Sequence, residues 1–228
     1  MQLAEVKPWG RSLHEYRLMF SLSDADLAGR VLGCGDGPAS VNAELRARGG
    51  HRYLSVDPIY VFSGPQIEAR VRETYDEIVS QVKLNQDRYL WNHFPDPDAQ
   101  GRARLEAMRL FLADYESGKE EGRYIAGSLP ELPFEAGTFD LCLCSHLLFL
   151  YSTQLTLEFH LAALREQLRV AREVRVFPLF DLECRQSAHL EAVRRALIGD
   201  GFVCELVRVA HEFQRGAHEM LRAFRREA

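Results

Sequence analysis

Between Arg30 and Asp57 the chain reads as a short apolar strand, a Gly33-Cys34-Gly35-Asp36-Gly37 turn, a helix, and a second strand that ends on an acid. Glycines at a strand-to-helix turn let backbone approach a ligand where a Cβ would collide. Asp57 lies 20 residues past Gly37, the spacing at which a carboxylate accepts from both ribose hydroxyls of a nucleoside. A dinucleotide turn places its third glycine three residues after the second, under the pyrophosphate. Here that position is Pro38, and the glycine falls one residue earlier. The unit therefore predicts a parallel α/β sheet with a nucleoside site at its strand ends, and it speaks against a dinucleotide.

The rest of the chain continues the alternation of apolar runs and helical stripes expected of a sheet covered on both faces. Pro65 starts a predicted helix with Ile67, Val71, Tyr75, Ile78 and Val82 on one face. A second stripe, Leu105, Met108, Leu112 and Tyr115, follows the loop at Pro95–Asp98. Strands are expected at Arg123–Ala126, Phe139–Cys144 and Val174–Phe177, the last stopped by Pro178. Helices are expected over Leu155–Ala171 and after Ser187, a candidate cap, with Gly199-Asp200-Gly201 ending the second. Phe202–Val209 and Met220–Phe224 alternate as a terminal hairpin.

The 228 residues suit a single domain over 1–228. No apolar run reaches membrane-spanning length; the best, Leu141–Tyr151, is broken by Ser145 and His146. No leader-like N-terminal pattern is present, and five cysteines without framework spacing point to reduced thiols, so a cytoplasmic location is expected. A net charge of −5 provides no general attraction for phosphate backbones, and neither a nucleic-acid nor a membrane partner is expected.

Val31-Leu32-Gly33-Cys34-Gly35-Asp36-Gly37 and Ser55-Val56-Asp57-Pro58 resemble motif I and the ribose acid of the Rossmann-like, class I S-adenosylmethionine (SAM)-dependent methyltransferases. One position departs: the family acid two residues before the first glycine is Val31 here, with Asp36 inside the turn as a partial substitute. Gly127-Ser128-Leu129-Pro130-Glu131-Leu132-Pro133-Phe134 is similar to the family's loop after the third strand, and Phe139–His146 to its fourth strand. The resemblance covers about half of the chain. It implies a seven-stranded, mostly parallel sheet with helices on both faces and an antiparallel last strand. It also implies SAM as cofactor, with Gly33, Cys34, Gly35, Asp36, Gly37, Asp57, Pro58, Ser128, Leu129 and Ser145 at its site.

His146, just past the fourth strand, is the candidate catalytic group, because an imidazole there can take a proton from a nucleophile or orient it. Cys142-x-Cys144-x-His146 is not read as a metal site: at about 3.3 Å per strand residue its ends start about 13 Å apart. Asp140, at the opposite end of that strand, is read as structural, and Tyr151 and His160 as packing or solvent residues. Sixty-five residues separate Asp57 from Arg123, more than one helical connection needs, so 60–122 is expected to form a helical insertion or cap. Its aromatic and polar middle supplies Arg88, Tyr89, Trp91 and His93 as candidate contacts for a small-molecule methyl acceptor. Asp181 is a weaker candidate. The stretch Arg11–Leu22 is expected to fold over the cofactor, with Arg11 or Arg17 toward its methionine carboxylate.

The expected activity is methyl transfer to a small molecule. The alternatives are a noncatalytic SAM-binding protein and, disfavoured by Pro38, a nicotinamide-dependent oxidoreductase. Oligomeric state does not follow from the sequence.

Overall fold

The computed structural model describes residues 7–50 and 52–226; the start of the chain, on which the leader expectation bears, lies outside this range. In chain order the elements are α1 (Leu13–Phe20), α2 (Asp24–Ala28), β1 (Val31–Cys34), α3 (Val41–Ala47), β2 (Tyr53–Asp57), α4 (Gly64–Leu84) and α5 (Pro97–Glu120). They continue with β3 (Tyr124–Ala126), β4 (Phe139–Ser145), α6 (Leu157–Val170), β5 (Ala171–Phe177), α7 (Leu190–Gly199), β6 (Phe202–Arg208) and β7 (Glu219–Arg225). One sheet has the order β3-β2-β1-β4-β5-β7-β6. β1 pairs in parallel with β2 and β4, and β7 runs antiparallel to both β5 and β6.

The central strands are apolar on alternate sides of the pleat, so each feeds two cores. Leu32, Cys142, Cys144, Val174 and Val176 pack with Leu164, Leu168, Leu190 and Val193 from α6 and α7. Val31, Leu141, Leu143 and Phe177 pack on the other face with Leu13, Tyr16, Met19 and Phe20 of α1 and Val41 of α3. α1 begins at Ser12 with a capping box closed by Glu15, which satisfies N–H groups the first turn leaves free.

The two long helices between β2 and β3 pack beside the sheet. Tyr60, Ile67, Val71, Met108, Phe111, Tyr115 and Tyr124 form a third core there. The stripe on α5 is rotated from the sequence expectation: Leu105 is 38% exposed, and Arg104 takes the inward position at 2%. Its guanidinium is held there by Glu15 of α1, at 2.5 Å. An apolar count cannot see a charge that turns inward to meet a partner 89 residues away. Pro65 is the second residue of α4, behind the cap Ser63. Ser187 does not cap α7, which starts after His189; its hydroxyl pairs with Ser152 and accepts from the His189 N–H. Ala171, expected on a helix face, is instead the first residue of β5.

The connection between α4 and α5 is tied to the one between β6 and β7. Tyr89 bridges Gln214, the Leu90 N–H donates to the Phe213 carbonyl at 2.7 Å, and Tyr89 stacks on Phe213 at 4.6 Å. The middle of the long segment is thereby held over the C-terminal ends of the strands. Among the described residues no helix is long and apolar enough to cross a membrane.

Candidate active site

At the C-terminal end of β1 the glycine turn is fixed from below. Gly35 and Gly37 have φ of +71° and +54°, a region that favours glycine. The Gly35 N–H donates to the Val56 carbonyl at 2.8 Å, tying the turn to β2. Asp57 closes it from the side. One carboxylate oxygen accepts from the Gly37 N–H at 2.8 Å, and the other accepts from the Ile59 N–H at 2.9 Å. Burial pushes this carboxyl up to about 6 against the pull of those two donors.

Asp36, inside the turn, is tied to the elements beneath it. Val31 is buried among apolar groups of β1. Asp36 turns inward and accepts from three hydroxyls: Tyr16 at 2.8 Å, Tyr53 at 3.0 Å and Ser55 at 2.8 Å. A Cβ at Gly33 would fall on the Asp36 carboxylate and the Tyr53 hydroxyl, so that glycine makes room for the network beneath the turn. Burial raises Asp36 to about 6 as well.

β4 contributes Ser145 and His146. The strand ends as His146 takes φ +53°, and its N–H donates to the Phe177 carbonyl of β5 at 2.7 Å. Ser145 Oγ lies 2.9 Å from His146 Nδ1. Burial, then the charge of nearby Arg11, holds the imidazole well below its usual range, so it is neutral at neutral pH.

These groups meet around a cavity of about 270 Å³, on the scale of small-molecule sites at about 300–1,000 Å³. Of the residues singled out in the sequence, Cys34, Gly35, Asp36, Gly37, Asp57, Pro58, Ser128, Leu129, Ser145 and His146 all line it. Gly33 does not; it lies behind the turn. The wall also contains Trp9, Tyr16, Ile59, Leu147 and Phe159, which sequence reasoning did not assign to the site. Only Tyr16 carried a signal, in the N-terminal stretch expected to fold over the turn. Of the two arginines proposed there, Arg11 lines the cavity, whereas Arg17 pairs with Asp24 at 2.6 Å near the surface.

A smaller cavity, about 70 Å³, adjoins the first and shares Trp9, Arg11 and His146 with it. Tyr89 lines this one. Arg88 is exposed and lines neither cavity. Trp91 meets the edges of Tyr89 and Phe213 from behind. His93 stacks on His211 at 5.0 Å and lines a separate hollow with Glu15. Asp181 is engaged by its own loop, accepting from the Glu183 and Arg185 N–H groups. Asp140 accepts from the Arg30 N–H at the far end of β4, a structural position. Tyr151 and His160 are buried packing residues. Cys142 and Cys144 are buried with thiols pushed up by desolvation.

The sheet order, the single reversed strand and the glycine turn closed by the β2 acid now stand together. The chain has the Rossmann-like, class I methyltransferase fold. No family model matches it. An uncharacterized protein of Methanocaldococcus jannaschii is 27% identical over 222 residues, 97% of each chain. Among solved structures, magnesium protoporphyrin IX methyltransferase of Synechocystis with bound SAM overlaps 89% of this chain and 73% of its own, at 16% identity and a TM-score of 0.45. The O-methyltransferase NcsB1 from neocarzinostatin biosynthesis, in complex with S-adenosylhomocysteine (SAH) and 1,4-dihydroxy-2-naphthoic acid, overlaps 94% and 56% at 12% identity and 0.48. TrmN of Thermus thermophilus overlaps 94% and 48% at 15% identity and 0.47.

Proposed function

We propose that this chain is a SAM-dependent methyltransferase acting on a nucleophile of a small molecule and releasing SAH. The observation that carries the reading is the convergence on one cavity of the glycine turn, the Asp57 carboxylate, the Ser128-Leu129 loop and Ser145-His146. SAM fits the groups present. Asp57 has lone pairs left for two ribose hydroxyls after accepting two N–H bonds. Ser128 and Leu129, on the same wall, would hold the adenine edge. When bound, SAM supplies a methyl carbon made electrophilic by its sulfonium.

The protein's part is alignment, exclusion of water and proton handling. His146 Nδ1 faces the Ser145 hydroxyl. Its Nε2 is the atom assigned to receive or orient the nucleophile's proton. A neutral imidazole is the form able to do so. Burial keeps it neutral, so its role does not wait on a titration near pH 6.5.

The 60–122 segment is assigned the role of a cap over one domain spanning 1–228. Tyr89 is its acceptor-side contact; Arg88, Trp91 and His93 do not border the cavity beside His146. The five free thiols support a cytoplasmic enzyme. Calorimetric titration with SAH, followed by incubation with SAM and small-molecule cell extract scored for SAH release, tests the assignment. Binding with turnover is expected. Binding without turnover on any extract favours a SAM-binding protein, and absence of SAH binding refutes both.

A further inference from the structure

The small cavity behind His146 differs in chemistry from the large one. Its wall contains two guanidinium groups, Arg11 and Arg104, and no carboxylate. Arg104 is paired with Glu15, outside the cavity. Arg11 makes no salt-bridge contact among the described residues and shares the field of Glu15 with Arg104; one of its five N–H donors goes to the Trp9 carbonyl at 2.9 Å. Burial, then the neighbouring Arg104, pushes Arg11 down to about 9, so it remains charged at neutral pH. His146 and His211 on the same wall are held neutral by burial. The cavity therefore carries an excess of one positive charge.

Two further groups await a ligand. Arg104 is 2% exposed with Nε unpaired, and Gln100 lines the wall beside it. His211 is 2% exposed with Nδ1 unpaired. Buried polar groups are seldom left unsatisfied without a reason. The remaining wall is flat and aromatic, from Trp9, Tyr89, Phe177 and Phe213. At about 30 Å³ of liquid per water, 70 Å³ holds about two waters, the space of a carboxylate, and a benzene-sized ring, which takes a cavity of about 150 Å³, reaches into the mouth shared with the larger cavity. A tetrapyrrole or a nucleic-acid stem does not fit.

We propose that this cavity anchors the acceptor and that it selects a small, single-ring acceptor bearing a carboxylate, with the carboxylate seated by Arg11, Arg104 and Gln100 and the ring at the mouth beside Trp9 and His146. This rests on the methyltransferase reading for the word acceptor, but not for the pocket's ligand chemistry. His146 stands at the mouth shared with the larger cavity, which puts the nucleophile of such a ring toward the methyl donor.

The test is calorimetric titration of the full-length protein with benzoate and with benzyl alcohol, each with and without saturating SAH. Benzoate is expected to bind at least about tenfold tighter than its uncharged analogue, and to do so with SAH present. Gln100→Leu should weaken benzoate about fivefold and leave benzyl alcohol unchanged. Ala217→Leu, which places a larger side chain on the same wall, should block both probes, and neither variant should move SAH affinity by more than about twofold. Equal affinity for the two probes, no binding of either, displacement of benzoate by SAH, or benzoate binding unchanged in both variants overturns the pocket. Failure of the wild-type protein to bind SAH would instead remove the methyltransferase reading, with the benzoate comparison still deciding the pocket.

Discussion

The two adjoining cavities are built by different means. The larger is walled by strand ends of one sheet, and its key groups are fixed by backbone: Asp57 by two N–H groups, His146 by the Phe177 carbonyl, the glycines by their own φ. The smaller is walled by side chains from the N-terminal segment, α4, α5 and the connection between β6 and β7. A site held by backbone fails abruptly when altered. One held by side chains can change what it selects without disturbing its frame. On the reading proposed above, the first binds the donor and the second chooses the acceptor.

The sharpest break is at Gly33. A methyl group there would meet the Asp36 carboxylate and Tyr53 hydroxyl, disrupting three buried hydrogen bonds at once. Gly33→Ala should cost about 3–5 kcal/mol of stability and lose SAH binding altogether. A denaturant midpoint within error of wild type would show that the turn relaxes and that the first cavity is not rigidly held. His146→Asn is next. Asparagine tolerates the left-handed backbone that His146 occupies, so the frame should stand and SAH affinity should persist. Turnover should fall by about 10²–10⁴, the usual range for a lost general base. Wild-type kcat in this variant would reduce His146 to a spacer between the cavities.

The same division explains what the sequence disclosed. The first cavity was legible because its parts are local: a glycine turn, an acid 20 residues on, and residues leaving consecutive strands. The role of Asp36 was only half visible, since its three hydroxyl partners come from α1 and β2. The second cavity was nearly opaque. Arg104 sits in a stripe whose apolar pattern pointed to Leu105, and what turns it inward is Glu15 on another helix. Gln100, His211 and Phe213 belong to no motif, and long-range ties such as Tyr89 to Gln214, Leu90 to Phe213 and His93 to His211 bring their segments together. Tyr89 was found because aromatics mixed with polar groups mark pocket walls, but its neighbours Arg88 and Trp91 were selected by the same rule and face elsewhere.

Asp57 gives a graded prediction. Losing a charged acceptor for two ribose hydroxyls should cost about 3 kcal/mol, so Asp57→Ala should weaken SAH about a hundredfold. Some of that loss will come through the turn, because the same carboxylate holds the Gly37 N–H. The effect of pH separates the parts. The Asp57 carboxyl titrates at about 6 when folded, and hydroxyl donors favour its ionised form. Affinity should be full above pH 7 and fall about tenfold by pH 5, as protonation removes the acceptor. Asp36 also titrates at about 6, so the control is Asp57→Asn, in which most of this pH dependence should vanish. A variant that kept the whole slope would assign it to Asp36.

The smallest effects test the second cavity through two consecutive residues. Arg88 ends a 3-10 turn and faces solvent, while the next residue, Tyr89, turns inward at 4% exposure and stacks on Phe213. Tyr89→Ala removes one side of the flat wall and should raise the acceptor KM about five- to tenfold with SAH affinity unchanged. Arg88→Ala removes a charge that contacts neither cavity and should leave both constants within about twofold. Steady-state kinetics on the pair, run with the acceptor recovered from extract, reads the difference directly. A KM effect from Arg88 equal to that from Tyr89 would mean that the acceptor extends beyond the cavity to the protein surface. The division between a rigid donor site and an enclosed acceptor site would then have to be redrawn with an open outer edge.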